Sequence, residues 1–132
     1  MRGRFCFSFR DNLLKFQVII NAHPNTETAQ QALNFCLSVI NSGHQLVQLF
    51  FYGPGVLNLF VDKNERAYPI KKTWAECCKH AIESVCCVNS VDTFARKCDT
   101  QENIHIAGMA QMIASASDAD KTITFGQQLP NE

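Results

Sequence analysis

The sequence predicts an α/β protein: a single three-layer α/β/α domain built on a mainly parallel sheet of about five strands. Three observations predict it. Short β-branched apolar runs alternate with segments of helical spacing, the pattern of strands joined by crossover helices. The runs are apolar almost throughout, as parallel strands covered on both faces are. No repeat, low-complexity tract or linker divides the 132 residues, a length that suits one domain with a sizeable core.

Residues 1–14, MRGRFCFSFRDNLL, read as an extension ahead of a domain at 15–132, either disordered or added by an upstream start codon. Arg10 and Asp11 cut the Phe-rich stretch after about five residues, short of the ~7–15 of a signal h-region. KFQVIINA (15–22) is a buried strand bounded by His-Pro-Asn. Thr26 is the expected N-cap of a helix whose stripe is Ala29, Leu33, Cys36, Leu37 and Ile40, with Gly43 as its stop. QLVQLFFYGPGV (45–56) is a second strand ending in a Gly-Pro-Gly turn, and NLFVDKNERAYPI is a loop. IKKTWAECCKHA (70–81) reads as a helix with Trp74, Cys77 or Cys78, and Ala81 inward. IESVCCV (82–88) is a third buried strand, VDTFARK a short helix, 103–120 a stretch containing a longer helix, and KTITFG (121–126) a last strand.

Composition narrows the function. Hydrophobic residues make up 46% and charged residues 18%, with a formal net charge of zero, so there is no electrostatic footprint for nucleic acid or an anionic membrane. No window approaches the ~18 apolar residues of a membrane span. Seven cysteines are an odd count for a secreted disulfide framework, and no C-x-x-C pair faces a second pair. The expectation is a reducing cytoplasm, mostly buried thiols and no metal or other cofactor.

Ligands of parallel sheets gather beyond the carboxyl ends of the strands, which sorts His23, Tyr52 and Cys87 toward a site and His44 away from it. Side chains alternate along a strand, so Cys86 and Cys87 face opposite ways. Cys86 sits deeper in the apolar run. Cys87 is next to the exit, where Asn89 and Ser90 are expected to cap a following helix. A thiol at a helix N-terminus meets unpaired N–H groups that favour the nucleophilic thiolate. Strand geometry alone leaves two readings open, a reactive Cys87 or two core cysteines.

Several pieces together resemble the DsrE/TusD family of sulfur-relay proteins, over about residues 15–126. They are KFQVIINAHP, the Gly43-His44 turn after the first helix, Phe50-Phe51-Tyr52-Gly53-Pro54-Gly55-Val56-Leu57-Asn58, a helix bearing Trp74, a strand ending in Cys87-Val88, and Gly108 to Asp118 or Asp120 and then Phe125. The resemblance implies that Cys87 carries sulfane sulfur as a persulfide, with Tyr52, Asn89 and Ser90 lining its site. It implies a sulfurtransferase or sulfur carrier, as in the tRNA 2-thiouridine relay or sulfur oxidation. It also implies sulfur-donor and sulfur-acceptor carrier proteins (TusA/TusE-like) as partners, and a homo- or hetero-oligomer, trimer or hexamer. One departure stands out. Many relatives carry small residues and then an arginine pair and a glycine soon after the cysteine, whereas here Arg96-Lys97 is displaced and Asp92 adds a negative charge.

Three rivals stand beside this reading. They are a noncatalytic assembly subunit, a nucleotide-binding module and a redox sensor pairing Cys87 with Cys98. HPNTET after the first strand contains no Gly-rich phosphate loop, which argues against the second.

Overall fold

The strand Lys15–Asn21 (β1) alternates its side chains between two faces: Phe16, Val18 and Ile20 on one, Gln17, Ile19 and Asn21 on the other. A computed structural model of the chain describes residues 13–61, 68–95, 99–100 and 104–126. The remaining elements are α1 (Glu27–Asn41), β2 (Gln45–Phe51), a 3₁₀ turn (Gly53–Asn58), β3 (Phe60–Val61), α2 (Pro69–Cys78), β4 (Ser84–Cys87), α3 (Val88–Phe94), β5 (Asp99–Thr100), β6 (His105–Ala107), α4 (Met109–Ala116) and β7 (Lys121–Gly126). Residues 1–12 of the 1–14 extension and the Arg96-Lys97 pair lie outside the described residues.

Five strands form one parallel sheet in the order β6-β4-β2-β1-β7. β3 and β5 make a separate antiparallel pair. From β1 through β2 and β4 to β6 the chain steps in one direction. It then returns across the sheet through α4 to set β7 beside β1. Right-handed crossovers put the returning helix on the opposite face, and the packing agrees. Val18, Ile20, Leu49, Phe51 and Cys86 share a core with Leu33, Cys36, Trp74 and Cys77 of α1 and α2. Ile19, Phe50, Val85 and Cys87 instead meet Met109 and Met112 of α4. The result is three layers, as the sequence predicts.

The two faces are unequally covered. On the α1/α2 side, Trp74 sets its ring edge-on to Phe51, with centroids 5.1 Å apart at 83°, a favoured aromatic geometry. Both rings are fully buried. α1 begins as expected, with the Thr26 hydroxyl accepting the Ala29 N–H at 3.2 Å, and stops at Gly43, where φ is 83°. Its stripe is rotated from the expected one. Ala32 and Val39 are buried while Leu37 and Ile40 stand at the margin, because the helix is wedged between the sheet and α2. On the other side α4 buries no residue completely.

Two features depart from the sequence reading. The stretch 103–120 holds a strand, β6, before its helix. Three residues are too short for a visible period, and β6 exists because β4 offers it an edge to pair with. The strands are also not purely apolar. Gln17 and Gln48 are both fully buried, side by side on β1 and β2, and the Gln17 amide donates to the Gln48 carbonyl oxygen at 2.8 Å. A buried polar group needs such a partner.

Candidate functional site

The carboxyl ends of β1, β2 and β4 open into a cleft of about 520 Å³ lined by Asn21, Tyr52, Gly53, Pro54, Cys87, Asn89, Ser90, Thr93, Phe94 and Met109. Its floor is shaped by the Gly-Pro-Gly turn. Gly53 takes a left-handed φ of 59°, which a residue with a Cβ rarely adopts. Gly55 lies so close to β1 that a Cβ there would strike the Ile20 carbonyl. The Asn58 amide then ties the turn down, donating at 2.9 Å to the carbonyl oxygens of Ala22 and Gly55. These bonds give a physical meaning to the Gly-Val-x-Asn spacing.

The cleft brings together the four residues singled out from sequence, Tyr52, Cys87, Asn89 and Ser90. The expected capping is different. Helix α3 starts at Val88, so Cys87 itself is the N-cap, with no side-chain hydrogen bond to the helix. Ser90 instead accepts the Gly53 N–H at 2.8 Å, joining α3 to the turn across the cleft. Asn89 is exposed, and its carbonyl accepts the Thr93 hydroxyl. His23 does not join them. It turns toward Tyr68, ring centroids 6.0 Å apart. His44 braces the start of β1, its Nδ1 accepting the Leu14 N–H at 2.9 Å.

The adjacent cysteines part as the strand pleat requires. Cys86 enters the main core, and Cys87 faces the cleft and α4. Burial pushes the Cys86 thiol well above its ordinary range, with Cys78 and Cys87 adding to the shift. Burial also pushes Cys78 up to about 12. A hydrogen bond to Cys77, and then burial, raises Cys36. These thiols therefore stay protonated at neutral pH and are not nucleophiles. Cys87 is less open than the sequence suggested: it is 1% exposed, with Met109 beside it in the cleft and Met109 and Met112 packed on its apolar cluster. Sequence reasoning missed that packing because these methionines are remote in the chain and reach the cluster only through the crossover to β7. Cys98, the proposed resolving thiol, lies outside the described residues. Among the described residues, no cluster of three His, Cys, Asp or Glu could hold a metal ion, and no helix is long and apolar enough to cross a membrane.

A five-stranded parallel α/β/α domain with a cysteine closing a central strand defines a recognisable class. The profile of the DsrE/DsrF-like family matches residues 15–125, and the chain belongs to that family. It is similar to DsrE of Allochromatium vinosum, 26% identical over 130 residues that cover 86% of this chain and 99% of that protein. It is also similar to the sulfurtransferase TusD homolog of Pseudomonas aeruginosa, 23% identical over 128 residues covering 86% of this chain and 98% of the relative. In shape it is similar to the YchN protein of Escherichia coli, whose crystal structure superposes with a TM-score of 0.71 at 18% identity, over 86% of this chain and all of that one.

Proposed function

We propose that the chain is a sulfur-relay protein that accepts sulfane sulfur as a persulfide on Cys87 and passes it to a partner protein. One observation carries the reading. Cys87 lies in the cleft beyond the carboxyl ends of the central strands, while Cys36, Cys77 and Cys86 sit in the closed apolar core. In the first step the Cys87 thiolate attacks the outer sulfur of a donor persulfide. A new sulfur–sulfur bond forms, the donor's own sulfur–sulfur bond breaks, and the donor leaves as a thiolate. In the second step an acceptor thiolate attacks the outer sulfur on Cys87, which leaves as the thiolate it began as. No net electrons or protons are exchanged, and the attacking and leaving thiol acidities set the rate.

The relatives' names support this class. The finer assignment follows the resemblance: TusA/TusE-like carrier proteins as donor and acceptor, a trimer or hexamer with related subunits, a cytoplasmic setting, and sulfur destined for tRNA 2-thiouridine. Exposed Ile106 on the edge strand β6 is apolar surface of the kind subunits cover. Intact-mass measurement after incubation with a cysteine desulfurase and cysteine tests the site. The expected result is a gain of about 32 Da, one sulfur atom, lost in Cys87→Ser and kept in Cys86→Ser. An adduct that persists in Cys87→Ser overturns it. The near-closure of Cys87 favours a second reading, a noncatalytic assembly subunit. That reading is supported if Cys87→Ser still sustains sulfur transfer by the assembled complex.

A further inference from the structure

The thiol that the proposed reaction requires is buried, and what holds α4 over its cluster is polar. We propose that α4 is a movable cover over Cys87, pinned shut by a latch of Gln17, Gln48, Glu83 and Gln111, and that its opening admits the sulfur donor. This inference rests on the sulfur-relay reading.

The apolar grip on α4 is slight. No residue of the helix is fully buried, Ile113 is 65% exposed, and only Met109 and Met112 reach the Cys87 cluster. Methionine side chains adapt readily to a changed surface. The polar grip is extensive. The Gln17 amide donates to the Met112 carbonyl at 2.8 Å. The Gln48 amide donates to the Gln111 carbonyl at 3.3 Å and to the Glu83 carboxylate at 2.6 Å. The Gln111 amide closes the loop, donating to both Glu83 oxygens at 3.2 and 3.0 Å. The Thr122 hydroxyl donates to the Gln17 Oε1 at 2.8 Å.

An apolar pair would serve the strands as well as two buried glutamines, since hydrogen bonds contribute little net stability when both partners can be replaced. Two strand amides aimed at the backbone of a helix provide something apolar packing does not. The attachment is directional, and water can take it over when the helix lifts. Gly108 precedes the helix, and a Cβ added there would meet nothing within 4 Å, so the entry to α4 is uncrowded. Segments with few buried contacts are those that open locally, and such opening commonly gates a site. Gln48, Glu83 and Gln111 are thus positioning residues that act through α4.

The test uses the full chain and N-ethylmaleimide under native conditions, with the rate at each cysteine read by peptide mass spectrometry. Cys86, on the opposite face of the same strand, reports general opening. In Gln111→Ala, at an exposed position, and in Gln48→Leu, Cys87 should label about tenfold faster or more, with Cys86 unchanged. Gly108→Ala, which narrows the freedom of the open chain, should slow Cys87 by about two- to fivefold. Unchanged Cys87 rates in both latch variants, or Cys86 rising in parallel with Cys87, overturn the cover. Gated labelling in a protein that takes up no sulfur leaves the cover standing and removes only the sulfur-transfer reading. Sulfur uptake with ungated labelling does the reverse.

Discussion

Cys78 and Cys86 are raised above their ordinary range by burial, and this couples stability to alkaline pH. An unfolded chain releases thiol protons near pH ~8.5. The folded chain holds the Cys78 proton until pH about 12. Between those values the unfolded state binds fewer protons, so stability is fully present below the lower value and is lost as pH rises through the window. Each such group contributes a slope of about 1.4 kcal/mol per pH unit. The urea midpoint should therefore fall steadily above pH ~9, and Cys78→Ala should flatten the fall. A midpoint independent of pH up to about 11 would contradict the burial of these thiols. The opposed facing of Cys86 and Cys87 was readable from their adjacency in an apolar run, because the period of a strand is two. The depth of Cys87 was not, because it depends on Met109 and Met112.

Among the elements, the 3₁₀ turn carries the site most directly. Asn58 donates its amide to two carbonyls, Ala22 and Gly55, and the 3₁₀ turn leaves Gly55 a backbone donor while Ala22 loses its side-chain partner. Asn58→Ala should cost about 1–3 kcal/mol in urea unfolding, the cost of one orphaned buried acceptor. A loss under about 1 kcal/mol would mean that water replaces the amide there. Elements with strong local signals were legible. The Thr26 cap and Gly43 stop bound α1, and the apolar runs mark β1 and β2. α3 begins earlier than its composition suggests, since Val88 is a poor helix former and the helix starts there because β4 ends against the turn. β6 carried no signal of its own. Gln17 and Gln48 carried no signal within their apolar runs, and only the position of α4 shows which backbone carbonyls they meet.

Across the whole molecule, one face of the sheet is sealed by α1 and α2 around Trp74, and the other is held by α4 through side-chain amides. Stability should be uneven in the same sense. In hydrogen exchange followed by mass spectrometry, amides of α4 should exchange well before those of β1 and β2, which are bonded on both sides within the sheet. Equal protection of α4 and the central strands would show a single cooperative unit. The architecture itself was foreseeable because alternating helices and apolar strands admit few topologies, whereas the unequal cover depends on how the chain returns to β7.

The pleat of β4 has a chemical consequence of its own. A free thiol that reaches a cysteine persulfide can discharge it: the thiolate attacks the inner sulfur, hydrosulfide departs, and a disulfide remains. Here Cys86 points through the sheet into hydrocarbon, with its proton firmly held. Were Cys87 to carry sulfur as proposed, the pleat would keep its nearest neighbouring thiol on the far side of the sheet, and the load would wait for a visiting molecule.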